Sequence, residues 1–168
     1  IMMKAERILN IIEKNIECVE MSFETDGWRS SIPSKPGWYF IETNTPLDIL
    51  LDLGPPLGKR HYNIPQKVKE SLTLKKYNAC ILPSNNSLYV VYSGEAKNLK
   101  SRAREHVAGH SETGCLALIN YKSLHSFKWK FLFVLCPLHK DPNETKGLRT
   151  LGEQAWRAKY GWPVFCGK

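Results

Sequence analysis

No stretch of this 168-residue chain approaches the roughly 18–20 uninterrupted apolar residues that a membrane span requires. Its N-terminal residues also lack the apolar core and small-residue cleavage site of a signal peptide, so a soluble, cytoplasmic protein is expected. Cysteine is sparse. Cys18, Cys80, Cys115, Cys136 and Cys166 are odd in number, scattered and without a CxxC pair, which argues against a disulfide framework or a zinc ribbon and for reduced thiols. Internal repeats and low-complexity tracts are missing as well. Negative charge is in deficit: 16 Asp and Glu face 24 Lys and Arg, a formal charge of +8 that suits a polyanionic partner. With 42% apolar and 11% aromatic residues the chain can bury a real core, which excludes intrinsic disorder and fits one domain.

Ile8, Ile11, Ile12, Ile16 and Val19 recur at three- and four-residue spacing, predicting one amphipathic helix from Lys4 to about Val19. Residues 37–43 are aromatic and β-branched, bounded by Pro36 and Pro46, and read as a strand. Between Pro46 and Tyr77 lies a mixed, basic region with a Gly-Pro-Pro-Leu-Gly break at 54–58. Ala79–Leu82 and Leu88–Tyr92 flank the turn formers of 83–87 and predict a hairpin. Asn98 can cap a helix from Leu99 that stops at Gly109. Residues 115–124 suggest another helix, 128–136 a strand covered on both faces, and 144–160 a last helix ended by Gly161.

The helix after Asn98 carries the first chemical signal. Arg102 and His106 stand four apart and project from one side, where they can hold a phosphodiester, Arg102 by paired hydrogen bonds and His106 as donor or acid. Lys97, Lys100 and Arg104 lie beside them, so a solvated basic face is the plainer reading of the same residues. Tyr39 and Tyr92 fall in two expected strands; a phenol can position or deprotonate water, though strand tyrosines ordinarily pack. Glu153 lies between Arg149 and Arg157 at i−4 and i+4, either an ion-pair ladder or a ligand for a hard divalent cation. Cys136 and His139 form a CxxH pair, but Cys115, His110 and His125 lack zinc-ligand spacing to complete it.

The order of these pieces is specific. Gly37-Trp38-Tyr39, followed by the run Tyr92-Ser93-Gly94 through Asn98-Leu99, Arg102 and His106, resembles the two halves of the GIY-YIG nuclease signature. Glu153 ahead of Gly161-Trp162-Pro163 is similar to that family's metal-binding glutamate before a proline. The likeness covers about 37–166. Trp38 and Ser93 replace the central Ile of each tripeptide, Glu95 stands where a basic or small residue is usual, and Cys166 occupies a position often held by Asn. Gly37 and Gly94 are also 57 positions apart (94 − 37), where the family commonly has a short hairpin. An insertion and an N-terminal extension of this kind resemble the family's restriction endonuclease branch.

The resemblance implies an α+β fold with a small three-stranded mixed sheet flanked by helices. It implies a single domain over 1–168, with 4–36 an N-terminal extension and 44–78 an insertion between the motif halves. It also implies a metal-dependent endodeoxyribonuclease in which Glu153 holds one Mg²⁺, with Mn²⁺ as a substitute, and Tyr39 and Tyr92 flank the attacking water. Arg102 would neutralise charge on the phosphate and His106 would bond it or relay a proton. Lys59, Arg60, Lys97, Lys100 and Arg104 would grip double-stranded DNA, and a palindromic site would call for a homodimer. The alternatives are a non-catalytic nucleic-acid-binding module, or a repair, mobile-element or toxin nuclease of the same family.

Overall fold

The computed structural model describes residues 4–167, and builds an α+β domain on one four-stranded sheet. The strands are β1 (Glu17–Glu20), β2 (Gly37–Thr43), β3 (Tyr89–Ala96) and β4 (Trp129–Leu135), in the order β1-β4-β2-β3. Among the described residues five α-helices accompany them: α1 (Lys4–Lys14), α2 (Leu47–Leu51), α3 (Ile64–Leu72), α4 (Leu99–Ala108) and α5 (Pro142–Tyr160). Among the described residues no helix is long and apolar enough to cross a membrane.

β2 is the strand whose side chains feed both layers of the core, because alternate residues of a strand point to opposite faces. Tyr39 and Ile41 join Val91, Phe131 and Phe133 on one face, covered by Leu50 of α2, Ile64 and Val68 of α3, and Leu99 and Ala103 of α4. Trp38 and Phe40 join Val134, Cys136 and Trp156 on the other, covered by α1 through Ile8 and Ile12 and by α5. Each of these buried aliphatic or aromatic side chains contributes on the order of 1.5–3 kcal/mol. Trp38 fits because α5 presents Gly152 to its indole, whose Nε1–H donates to the Arg149 carbonyl at 2.8 Å.

Several expectations need correction. All three strand pairings are antiparallel, so the sheet is not mixed: β3 and β4 run the same way but lie on either side of β2. There are four strands rather than three, since the helix stops at Lys14 and Glu17–Glu20 pair with Phe133–Lys130 of β4. Ala79–Leu82 forms no hairpin with β3; Cys80 bridges Trp162 instead, with the Trp162 N–H on the Ala79 carbonyl at 2.7 Å. Residues 115–124 form two short 3₁₀ turns, not a helix, around Ala117 at φ 50°. Leu116, Ala117 and Leu118 are fully buried there, which a one-sided helix would not allow.

The flanking segments belong to the body of the domain. α1 packs on α5, and α3 lies against Val164 and Phe165 and is tied to the chain end by Lys67 on the Gly167 carbonyl and Ser71 on the Pro163 carbonyl.

Candidate active site

Two local devices aim the site. A β-bulge comes first: Ile41 faces Tyr92 and Glu42 faces Val90, leaving Val91 as the extra residue of β3. The extra residue brings Tyr92 onto the face of Ile41 and Tyr39, as a bulge beside a functional site commonly does. The second is the capping of α4. Asn98 accepts the Ser101 N–H at 3.0 Å, which fixes where the helix begins and hence which turn carries Arg102 and His106.

Those two residues converge on one atom. Arg102 Nε donates to Tyr39 Oη at 3.0 Å, and His106 Nε2 lies 2.8 Å from the same oxygen. The tautomer follows from the far side of the imidazole, where Nδ1 accepts the Leu116 N–H at 3.3 Å. With Nδ1 accepting, the ring proton resides on Nε2, and His106 donates to the phenol. Arg102 Nη1 also pairs with Glu105 at 2.8 Å, which locks the guanidinium in its plane. Tyr92 stacks on Tyr39, ring centroids 5.8 Å apart and planes 16° from parallel, with His106 tilted against both rings.

Burial sets the electrostatics. His106 is fully buried, and burial, followed by the Arg102 charge, holds its imidazole well below the usual range, so it is neutral. Burial pushes the Tyr39 phenol well above its ordinary value, although the Arg102 charge and hydrogen bond pull the other way. Tyr92 is also raised, by burial and then by the neighbouring phenols Tyr39 and Tyr62. Burial works against the Arg102 cation, yet the fields of Tyr39, Tyr92 and Glu105 more than offset it and keep it charged.

Glu153 stands apart from this cluster, at the free edge of β3. Its carboxylate takes Arg157 at 2.8 Å, and Arg157 in turn donates from Nε to the Ser93 hydroxyl and from Nη2 to the Ser93 carbonyl, both at 2.8 Å. Only half of the expected ladder forms, because Arg149 turns away from Glu153 to pair with Glu95 on β3. Burial raises the Glu153 carboxyl, Arg157 opposes this, and the nearby Glu95 charge adds to it. Cys166 sits 3.7 Å from the Ser93 carbonyl and 3.5 Å from Arg157.

Arg102 opens onto a groove of about 380 Å³ lined also by Glu95, Lys97, Asn98, Ser101 and Glu105. Of the other cations expected to touch nucleic acid, Lys59 and Arg60 line a neighbouring pocket of about 340 Å³ with Tyr62 and Lys67. Arg104 is exposed on α4, and Lys100 turns toward the Ser30 carbonyl at 3.5 Å. Sequence reasoning missed Tyr62, whose ring stacks on Tyr92 at 6.4 Å and 18° although it comes from the inserted segment. It also gave Glu105 and Ser93 no role. Among the described residues no group of three His, Cys, Asp or Glu side chains is gathered as a metal cage. Comparison of the chain with protein-family models, with curated proteins and with solved structures finds no match in any of the three.

Proposed function

We propose that this chain is a metal-dependent endonuclease of restriction type, hydrolysing DNA phosphodiester bonds in the manner of the GIY-YIG nucleases its 92–106 run resembles. The observation that carries the reading is the convergence of Arg102 and His106 on the Tyr39 oxygen, beside a stacked second phenol and next to an open, cation-bearing groove. A buried tyrosine oxygen held by two N–H donors is arranged to carry negative charge, which a merely packed tyrosine does not need.

Hydrolysis forms a bond from water to phosphorus, releases one water proton and breaks the bond to the departing sugar oxygen, which takes up a proton from solvent. Tyr39, ionised in advance by loss of its proton to bulk water, accepts the proton of the attacking water, with Arg102 and His106 stabilising its phenolate. Tyr92, only half-buried, orients the water. Arg102 lines the groove, where its cation meets the charge that builds on the phosphate. His106 is enclosed behind Tyr39 and therefore serves the phenol rather than the phosphate.

Glu153 fits a magnesium-type ligand in its chemistry. Such a cation takes one or two carboxylates and fills its remaining positions with water and substrate phosphate, and Mn²⁺ accepts the same oxygen donors. A bound cation would offset the burial and the Glu95 charge that together raise the Glu153 carboxyl. Held there, it would polarise the scissile phosphate and stabilise the departing oxygen.

One observation favours a second reading, a non-catalytic nucleic-acid-binding module: Glu153 is already engaged by Arg157. Supercoiled plasmid with about 10 mM Mg²⁺, enough to fill a weak hard-cation site, separates the two when run beside EDTA and Glu153→Ala. Cleavage to discrete products that needs both the metal and Glu153 supports the endonuclease. Salt-dependent DNA binding without cleavage of any DNA or RNA supports the module.

A further inference from the structure

The inserted segment reaches the candidate site through Tyr62. Its backbone is pinned to the chain at Cys115, with the Tyr62 N–H on the Cys115 carbonyl at 2.8 Å and the Cys115 N–H on the Arg60 carbonyl at 3.2 Å. The residue after Cys115 is Leu116, whose N–H fixes the His106 tautomer, so one short piece of chain sets both Tyr62 and the imidazole. The Tyr62 ring is clamped between Tyr92 on one side and the Lys67 ammonium, 4.7 Å from its centroid. It lies over Gly114, where a Cβ would fall 2.7 Å from its Cε1 and 2.8 Å from its Oη. A buried phenol ordinarily spends its hydroxyl on a protein acceptor, and Tyr62 is only partly buried. Among the described residues its hydroxyl has no hydrogen-bond partner, and it is not enclosed. The ring also borders the pocket of Lys59, Arg60 and Lys67, on the path a phosphate backbone would follow from those cations toward Tyr92.

We infer that Tyr62 is a third phenol of the hydrolytic site, its hydroxyl donating to a non-bridging phosphate oxygen of the substrate strand while its ring holds Tyr92 in place. The inference rests on the nuclease reading for its substrate, and on stacking, rigidity and an unspent donor for the residue. It assigns the insertion a part in the chemistry rather than in grip alone.

The test is Tyr62→Phe, which keeps the ring and removes only the hydroxyl; since that hydroxyl bonds nothing in the protein, the melting temperature should not move. Two quantities are read: the single-turnover cleavage rate in Mg²⁺, and the affinity for a short fluorescent duplex in EDTA. A hydrogen bond to a charged oxygen is worth about a tenfold loss in rate or affinity when removed. Tyr62→Ala, which also removes the stack on Tyr92, should lose more in rate than in affinity. A Tyr62→Phe protein that cuts and binds like the wild type overturns the inference while leaving the nuclease standing. If the wild type cuts no DNA, the nuclease reading falls and affinity alone decides: weaker binding by Tyr62→Phe keeps the phosphate contact, and equal binding ends it.

Discussion

Gly94 lies directly across the β2–β3 ladder from Tyr39, and a Cβ built on it would fall 2.5 Å from the Tyr39 hydroxyl and 2.6 Å from its Cζ. The glycine of the Tyr92-Ser93-Gly94 tripeptide is therefore required by close approach, not by backbone conformation: its missing side chain is where the phenol rests. Gly94→Ala must push a buried ring that is held by Arg102, His106, Tyr92 and Phe131. Overpacking of this kind costs about 1–3 kcal/mol, and a melting curve should fall by about 2–4 °C per kcal/mol at this chain length. Cleavage should fall far more, by about a hundredfold or greater, because the displaced atom is the one proposed to take the proton. Equal losses in a Gly27→Ala control, where an added Cβ meets no atom within 4 Å, would remove the special status of Gly94.

Arg102 serves two partners at once through one planar group, Nε on Tyr39 and Nη1 on Glu105. Lysine offers a single ammonium that cannot span both directions. Arg102→Lys is expected to cut the rate by about 10²–10³-fold, with duplex affinity lowered much less because the positive charge remains. Titrating DNA against the variant and the wild type, then following single turnovers, separates the two effects.

His106 makes stability depend on pH. Its folded-state pKa is depressed below the ordinary 6.5 by burial and by Arg102. The unfolded chain therefore binds the extra proton first, so the contribution of this group is complete above pH 6.5 and is lost as pH falls toward the folded value. The loss is about 1.4 kcal/mol for each pH unit across that window. Glu153 and Glu42, whose carboxyls are raised by burial, act in the opposite sense above pH 4.5. The comparison is thus with His106→Gln, whose denaturation midpoint should lose the slope between about pH 6.5 and 5 that the wild type displays. An unchanged slope would mean that His106 takes up its proton as readily in the folded as in the unfolded chain, so that burial does not depress it.

Much of this arrangement was legible because it is local. The four-residue spacing of Arg102 and His106, the Asn98 cap and the Gly109 stop lie within one helix, and that helix forms as read, with Gly109 at φ 87°. What escaped depends on distant partners. Ile16 and Val19 continue the helical spacing of α1, yet 17–20 become a strand because the exposed edge of β4 needs a neighbour. Ala79–Leu82 looked like a strand of its own until Trp162, some 80 residues on, proved its partner. Tyr62 carried no local signal beyond an aromatic ring after Lys59-Arg60-His61; its place beside Tyr92 is set by Cys115 and Gly114. Glu95 stands where the resembled motif usually has a basic or small residue, and Arg149, 54 positions on, is the residue that neutralises it.

The pH dependence of cleavage tests the assignment of Tyr39 as the base. Burial raises its phenol above the usual value despite Arg102, so over the neutral range only a small fraction is phenolate. That fraction grows tenfold with each pH unit, and a rate limited by it must climb with a slope near one in log units from about pH 6.5 to about pH 9. His106 adds no inflection in this window, since it is already neutral there. Tyr92→Phe, which loses a water-orienting hydroxyl but not the base, should run parallel to the wild type at a lower rate. Tyr39→Phe should lose both rate and slope. A wild-type profile that levels off below about pH 8 would assign the base to a group of near-neutral pKa, leaving Tyr39 to position the water that another group deprotonates.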